Sequence, residues 1–572
     1  MKLNIVLLVF VLISAAIVSA VNIPINTNKE KPEQQGFKFD YSIFQQDKLS
    51  SANGGSHCAG CTIALTLVEQ YSYIHNKTIE QSLDEICTFF PSNAGQVCIW
   101  LVNTYGKSII QNFEKYEHAD DVCHAMNICT SPECRLFPSN TPTYSNPEHK
   151  HEEYDASNPK VSADPWSWIQ NLINLFSSKH LPIEDIDNDK YSMESTFRGY
   201  SWRGKDCNDL RSDIHPGINE ETTTDPSIDW NCNGIYGVNN KSQSYEDLFC
   251  SGSGPMGVIV SGDSAGAHFS IPPQWMTASQ INSTTYNGFL SILENEVDWP
   301  MRSAYTGWEP STDTYTVDSM YLRMRERNFC NHRDYQNLGV NGASSGSTAT
   351  KIIQSLSRNQ QTDNPALFFL ELIGNDVCSG HHTYDTMTTP QEFETNIVSI
   401  LNYLDTQLPK GSHVVFVGLA DGRVLWDSLW NRTHPLGATY EEVYDFLNCI
   451  QVSPCWGWMN PNETVRDFTS TRAAELSAVY NQIIKNYTFT NFDMIYYDFP
   501  FNAINAQWVA QGGQTWELIE PIDGFHPNQI TNYLMASFFY NSLTQDKPEW
   551  LGNINPFNSQ IQAIFGNQGG YV

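Results

Sequence analysis

Four short stretches carry side chains able to cleave an ester. Residues 256–273, MGVIVSGDSAGAHFSIPP, run from an apolar segment into Gly262, Asp263 and Ser264. A buried strand followed by a turn of small residues presents the Ser264 hydroxyl at the carboxyl end of a sheet, where open α/β folds place their sites. Residues 337–344, NLGVNGAS, form a Gly/Asn/Ser-rich turn whose Gly342 N–H can point at an oxyanion. A third stretch, ALFFLELIGND at 366–376, ends in Gly374, Asn375 and Asp376, and the Asn375 amide is a second oxyanion donor. Near the C-terminus, Asp523-Gly-Phe-His526-Pro sets a carboxylate three residues before an imidazole. His526 can accept the Ser264 proton while Asp523 fixes its tautomer and stabilises the imidazolium. Alone, each stretch is an ordinary turn, helix cap or strand end; in this order, with strands before the first and third, they predict acyl transfer by a Ser-His-Asp triad.

A second chemistry lies upstream. Asp185, Asp187, Asp189, Asp206, Asn208, Asp209, Asp213, Asp225, Asp229, Asn231 and Asn233 follow a D-x-D and N-x-N rhythm. On tight loops such side chains converge on one point, which suits a hard cation with about six to eight oxygen ligands, and Ca2+ is the expected ion. The first loop begins like an EF-hand, but Lys190 stands where Gly is expected and Thr196 where the closing Glu would be, so it is not one. The competing account is a solvated acidic loop.

Positioning the catalytic groups needs a sheet. Apolar runs at 257–261, 367–372, 413–418 and 494–497 alternate with helical patterns at 392–408, 470–487 and 530–543. The alternation predicts parallel strands with helical crossovers and function at the strands' carboxyl ends. His268, His381, His382 and the Asp421-Gly-Arg423 turn lie near those ends in sequence and read as loop structure.

The chain opens with Lys2, an apolar run at 5–18, then Ser19 and Ala20, which predicts a secretory signal cleaved after Ala20. No later run reaches the roughly 18 apolar residues of a membrane span, so the mature protein is expected to be soluble. Fourteen cysteines and sequons at Asn76, Asn240, Asn282, Asn431, Asn462 and Asn486 point to oxidative folding and glycosylation, in a secreted or lysosomal setting. Cys58, Cys61, Cys87, Cys98, Cys123 and Cys129 cluster among helical patterns, predicting a small all-helical domain stapled by disulfides whose pairing spacing leaves open. The opening Cys-x-x-Cys has neither a βαβ context nor a second close pair, so redox and zinc roles are set aside. A Pro-, Ser-, Asn- and His-rich linker follows, with His149 and His151 read as solvated. The net charge of −31 excludes nucleic acid and disfavours simple electrostatic capture of an anionic lipid.

The cysteine spacing resembles a saposin-B domain. That resemblance implies the pairs Cys58–Cys129, Cys61–Cys123 and Cys87–Cys98 and a helical leaf whose apolar face opens onto lipid; periodicity itself does not separate a lipid cradle from a private core. The four stretches around Ser264 resemble the GDSL, or SGNH, hydrolase family. This implies a flavodoxin-like α/β domain with Ser264 as nucleophile, Asp523 and His526 as its partners, and the Ser264 N–H joining Gly342 and Asn375 in the oxyanion hole. Ala265 replaces the Leu of the family name, at a position that packs rather than reacts.

Longer runs, RGYSWRGKDCND at 198–209, DWNCNGIYG at 229–237 and GDSAGAHFSIPPQWMTASQ at 262–280, resemble the acyloxyacyl hydrolase family over nearly the whole mature chain. That implies hydrolysis of the secondary acyl chains of lipid A in bacterial lipopolysaccharide, at esters made to the hydroxyl of another acyl chain. It also implies calcium held by Asp185, Asp187, Asp189, the Tyr191 carbonyl, Asp206, Asn208, Asp209, Asp225, Asp229, Asn231 and Asn233. Arg211 stands where the family tends to have an acid, with Asp213 as a substitute. The family pattern further implies a small and a large subunit joined by a disulfide, with peripheral contact to membranes or micelles.

The expected organisation is therefore a signal peptide (1–20), an N-terminal segment or propeptide (21–53), the saposin-like domain (54–135), a linker open to processing (136–165), a calcium-binding segment (166–250) and the hydrolase domain (251–572). Cys134 is the only remaining cysteine before the linker and is expected to bridge to Cys207, Cys232, Cys250, Cys330, Cys378, Cys449 or Cys455. The other functions consistent with these features are a broader lysosomal phospholipase or lipid esterase and a non-enzymatic lipid carrier, the latter opposed by the intact triad. A saposin-linked phosphodiesterase would need clusters of metal-binding His and Asp.

Overall fold

The computed structural model describes residues 52–116, 118–137, 180–219, 225–378 and 382–572. The expected signal, the N-terminal segment to residue 51, most of the linker with His149 and His151, and His381 lie outside the described residues.

The N-terminal lobe is helical: α1 (Gly55–His75), α2 (Ile79–Thr88), α3 (Ser92–Phe113) and α4 (Ala119–Ala125). Helix α2 starts at a capping box in which Thr78 accepts the Gln81 N–H and the Gln81 side chain accepts the Thr78 N–H, satisfying two otherwise orphan donors. The lobe is stapled by Cys58–Cys129, Cys61–Cys123 and Cys87–Cys98. Cys134 reaches across the fold to Cys449, 315 residues away in sequence.

The larger domain is built on a parallel sheet of order β2-β1-β3-β4-β5, made of β1 (Gly257–Gly262), β2 (Tyr335–Asn337), β3 (Ala366–Glu371), β4 (Ser412–Val417) and β5 (Phe492–Tyr497). The central strands read as continuous apolar runs because both faces are covered. Ile259, Phe368, Leu370, Val414 and Phe416 face one core, and Val258, Val260, Leu367, Phe369, Val415 and Val417 the other. Helices α6 (Pro390–Gln407) and α8 (Glu463–Asn486) cover the first face, and α9 (Gln529–Asp546) the second. The short helices α5 (Ser345–Thr350) and α7 (Tyr440–Cys449) bear on the site.

Strand β2 has no counterpart among the predicted strands. It is three residues long, and two of them, Gln336 and Asn337, are polar yet buried because their amides donate to the Tyr191 hydroxyl and the Ser357 and Gly266 carbonyls. The helical lobe packs directly on the hydrolase domain. Phe90 stacks on Tyr286 at 3.9 Å, and the Gln70 and Asn53 amides donate to the carbonyls of Leu436 and Cys449. No described helix is long and apolar enough to cross a membrane.

Candidate active site

Strand β1 delivers Ser264. The ladder continues one residue beyond it, with the Asp263 N–H donating to the Glu371 carbonyl, and then the chain turns sharply. Asp263 holds that turn: Oδ1 accepts the Ala265 N–H, and Oδ2 accepts the N–H groups of Ile373 and Gly374 beyond β3. Ala265 is buried, in keeping with a packing position. The Ser264 hydroxyl lies 2.7 Å from His526 Nε2, and His526 Nδ1 lies 2.5 Å from Asp523 Oδ2. The other oxygen of Asp523 accepts the N–H groups of Phe525 and His526, so one carboxylate fixes both the turn and the ring.

That turn depends on Gly524, whose φ is 59° and where a Cβ would come within 2.7 Å of the Tyr444 hydroxyl and 2.9 Å of the Tyr440 ring. The Tyr440 and Tyr444 hydroxyls, both on α7, donate to the carbonyls of Pro521 and Gly524 on either side of Asp523. His526 is further held by Phe269, with ring centroids 4.8 Å apart.

Asn375 joins Ser264 and His526 in the wall of one cavity of about 570 Å³, otherwise largely apolar, with Trp458, Phe499, Phe501 and Phe525 among its lining. Gly342 is not part of that wall. It sits with φ 76° on the loop after β2, which stays beside the Ser264 turn through Val340 N–H donating to the Gly262 carbonyl. Arg198, from the 198–209 run, braces the same loop: it pairs with Glu296, stacks on Trp202 and donates to the Gly339 carbonyl. His268 (φ 60°) ties the Ser264 turn to α9, its two ring nitrogens 2.9 and 2.8 Å from the side chains of Gln529 and Asn532. His382 meets the Asn448 carbonyl, and Asp421 pairs with Arg423 in an exposed bridge.

Family models match residues 57–160 as a saposin-like domain and residues 262–539 as a GDSL-like lipase/acylhydrolase. The chain is 42% identical over 549 residues to acyloxyacyl hydrolase of Homo sapiens, covering 92% of this chain and 95% of that one. It is 42% identical over 538 residues to that of Oryctolagus cuniculus, covering 90% and 93%, and over 544 residues to that of Mus musculus, covering 91% and 94%. The chain belongs to the acyloxyacyl hydrolase family. It is accordingly a carboxylic ester hydrolase acting on lipid, with a saposin-like lobe beside its hydrolase domain.

In this member of the acyloxyacyl hydrolase family the two domains share a second cavity, of about 1060 Å³. Leu65, Val68, Ile86, Leu101, Val102 and Ile109 of the helical lobe form one wall, and Trp275, Met276, Ile281 and Tyr286 the other. Trp275 and Met276 belong to the same 262–280 run as Ser264, so one segment supplies the hydroxyl and part of the apolar wall. Nothing in the periodicity of that segment signals the second task.

The acidic segment folds into two groups. Carboxylate oxygens of Asp185, Asp187 and Asp209, and of Asp187, Asp189 and Asp206, lie within 4.8 Å of one another. Lys190, where an EF-hand would have Gly, takes the left-handed conformation all the same (φ 75°), and its ammonium donates to the carbonyls of Gln354 and Leu356. Burial, with neighbouring carboxylates adding repulsion, pushes Asp189 up to about 8 and Asp206 up to about 7. The Tyr191 N–H and Asn208 N–H donate to Asp189 and Asp206, which orders these loops. The second group joins Asn231 and Asn233 to Glu246, a residue outside the sequence-derived set, which accepts from both Asn amides, while Asp229 beside them accepts the Gly234 N–H. Asp225 joins neither group: it is exposed and accepts from the N–H and hydroxyl of Ser227. Asp213 forms an exposed pair with Arg211.

The acidic loops fit a divalent cation. One oxygen each of Asp187, Asp189, Asp206 and Asp229 is buried without a donor, and such oxygen-only sets are what Ca2+ takes.

Proposed function

We propose that this enzyme removes secondary acyl chains from lipid A of bacterial lipopolysaccharide, with Ser264, His526 and Asp523 as its triad. The observation that carries the chemistry is the continuous line from Asp523 through His526 to the Ser264 hydroxyl, at 2.5 and 2.7 Å. The substrate class comes from the relatives, whose name specifies an ester between one acyl chain and the hydroxyl of another.

Ser264 attacks the ester carbonyl as His526 takes its proton. The N–H groups of Ser264 and Gly342 and the Asn375 amide receive the developing oxyanion; as it collapses the ester C–O bond breaks, and His526 gives its proton to the departing oxygen, which leaves as a hydroxyl. Water then repeats the cycle on the acyl-enzyme. Lifting an acyl chain out of a micelle costs about 0.8 kcal/mol per CH₂ exposed to water, and the cavity between the two domains offers apolar surface to offset it. Calcium, held by Asp185, Asp187, Asp189, Asp206 and Asp209 and by the Asp229 and Glu246 group, would tie the acidic segment together.

All fourteen cysteines are paired, and all six sequon asparagines are exposed, which supports a glycosylated protein of the secretory pathway, secreted or lysosomal. The Cys134–Cys449 bond spans the linker, so cleavage there would leave two chains that separate on a gel only with reductant.

Mass spectrometry of lipid A and of phospholipids, each incubated with the purified full-length protein, tests the reading. Loss of secondary acyl chains from lipid A is expected. Loss of chains from phospholipids alone would assign a general phospholipase instead.

A further inference from the structure

The residue after Asn375 is buried, ionisable and unused by the mechanism above. Asp376 is 2% exposed, and no Lys or Arg pairs with it among the described residues. Its oxygens instead face neutral donors. Oδ2 accepts the Ser345 N–H at 2.8 Å, while Oδ1 accepts the Ser345 hydroxyl at 2.6 Å and the Thr388 hydroxyl at 2.7 Å. The Thr388 N–H donates back to the Asp376 carbonyl, and the Asn396 amide donates to the Ser345 hydroxyl. Ser345 is fully buried and opens α5, three residues after Gly342.

The geometry points to Asp376 as the positioning residue that sets the separation of the two oxyanion donors carried on different loops, Gly342 and Asn375. The inference rests on reading those two groups as oxyanion donors. Asn375 leaves β3 and Gly342 leaves β2, and these strands are not neighbours, since β1 lies between them. No strand ladder therefore fixes one loop against the other beyond the sheet. The shortest tie runs from Asn375 through one peptide bond to the Asp376 carboxylate, across two hydrogen bonds to Ser345, and back along the chain to Gly342. Two donors from one residue meeting both oxygens of one carboxylate fix orientation as well as distance, as a bidentate pair does. Such control matters because oxyanion donors act at about 2.7–3.1 Å and a misplacement of about 1 Å costs on the order of 10²-fold in rate.

The test uses the full-length protein and a short, soluble nitrophenyl ester, so that the lipid cavity is not engaged. kcat, KM, melting temperature and the affinity of a trifluoromethyl ketone, which forms an oxyanion on Ser264, are measured for Asp376→Asn, Ser345→Ala, Asn375→Ala and the Asn375→Ala/Asp376→Asn double variant. Asp376→Asn keeps the shape but sets an amide N–H₂ against a donor, and should lower kcat by roughly 30- to 100-fold with KM within about twofold and ketone affinity falling in parallel. Ser345→Ala, the milder change, should lose about five- to tenfold by the same pattern. The double variant should be no more than about threefold slower than Asn375→Ala, because residues acting as one unit do not lose independently. Folded Asp376→Asn or Ser345→Ala with a lowered melting temperature but unchanged kcat and ketone affinity would reduce Asp376 to a structural brace. Losses that multiply in the double variant would also overturn the inference. Full activity in Asn375→Ala would remove the oxyanion reading and this inference together, whereas a crippled Asn375→Ala beside an active Asp376→Asn removes this inference alone.

Discussion

The Ser264 turn and the acidic loops bury the same side chain and resolve its charge differently. Around Ser264, both oxygens of Asp263, Asp376 and Asp523 meet donors, most of them backbone N–H groups. In the 185–229 segment, one oxygen each of Asp187, Asp189, Asp206 and Asp229 is buried facing no donor, and around the first three lie further carboxylates. A buried carboxylate costs several kcal/mol unless something answers its charge. The chain's own N–H groups answer it at the Ser264 turn, so those acids can hold geometry without an ion. On the acidic loops the proposed answer is calcium.

The largest expected effect separates the two regions by activity. Asp523→Asn preserves shape but offers the imidazole the wrong partner, leaving the ring in a tautomer unable to take the Ser264 proton. Its kcat on a soluble ester should fall by about 10³- to 10⁴-fold with a nearly unchanged melting temperature. Turnover within roughly tenfold of the parent would remove Asp523 from the triad.

The next effect separates them by stability. An ion bound only by the folded state at about 100 to 1,000 times its dissociation constant adds about 2.7–4 kcal/mol. Excess chelator should therefore lower the melting temperature by several degrees. Asp523→Asn should show that response in full. Asp189→Asn, which removes a ligand and part of the repulsion, should show little of it. An equal response in both variants, or none in the parent, would break the contrast.

Sequence made the two regions legible to different depths. Ser264, Asn375 and the Asp523–His526 pair stand out because each is a local pattern: an apolar run ending in small residues, or a carboxylate three residues from an imidazole. The alternating acids are equally local, and five of them do converge. Contacts between distant segments are legible only where a motif or a leftover cysteine marks them: the Ser264–His526 approach and a bridge from Cys134 are expected from the sequence, but the bridge's partner and the other distant contacts are not. Glu246 meets Asn233 from 13 residues away, Asp376 meets Ser345 from 31, and Cys134 meets Cys449 from 315. Strand β2 escaped because buried Gln336 and Asn337 break the apolar pattern, their polarity absorbed by partners elsewhere in the chain. The wall that Trp275 and Met276 give to the cavity between the domains escaped because an apolar side chain looks alike whether it faces a core or a cavity.

One acid near the nucleophile departs from its neighbours, and it sharpens the comparison. Glu371 ends β3 with no exposure, and neither carboxyl oxygen has a donor. Gly262 and Gly266 lie so close that a Cβ on either would come within 2.6 and 2.8 Å of Oε2. With neither donors nor an ion, the remaining way to resolve the charge is to keep the proton. Burial, and then the negative Asp263 beside it, push the Glu371 carboxyl well above its ordinary value of 4.5. Below about pH 4.5 the folded and unfolded chains both hold this proton, so Glu371 costs nothing. As the pH rises, the unfolded chain releases the proton while the folded one keeps it, and stability falls by about 1.4 kcal/mol per pH unit until the raised pKa is passed. Glu371→Gln has the same shape without the titration. Its melting temperature should match the parent near pH 4 and exceed it by a margin that widens toward neutrality, with kcat on a soluble ester unchanged. A margin independent of pH would mean that Glu371 is charged in the fold. Burial raises Asp298, whose oxygens likewise have no donor, and Glu520 in the same direction, so each of these acids contributes a stability loss of the same sign as the pH rises.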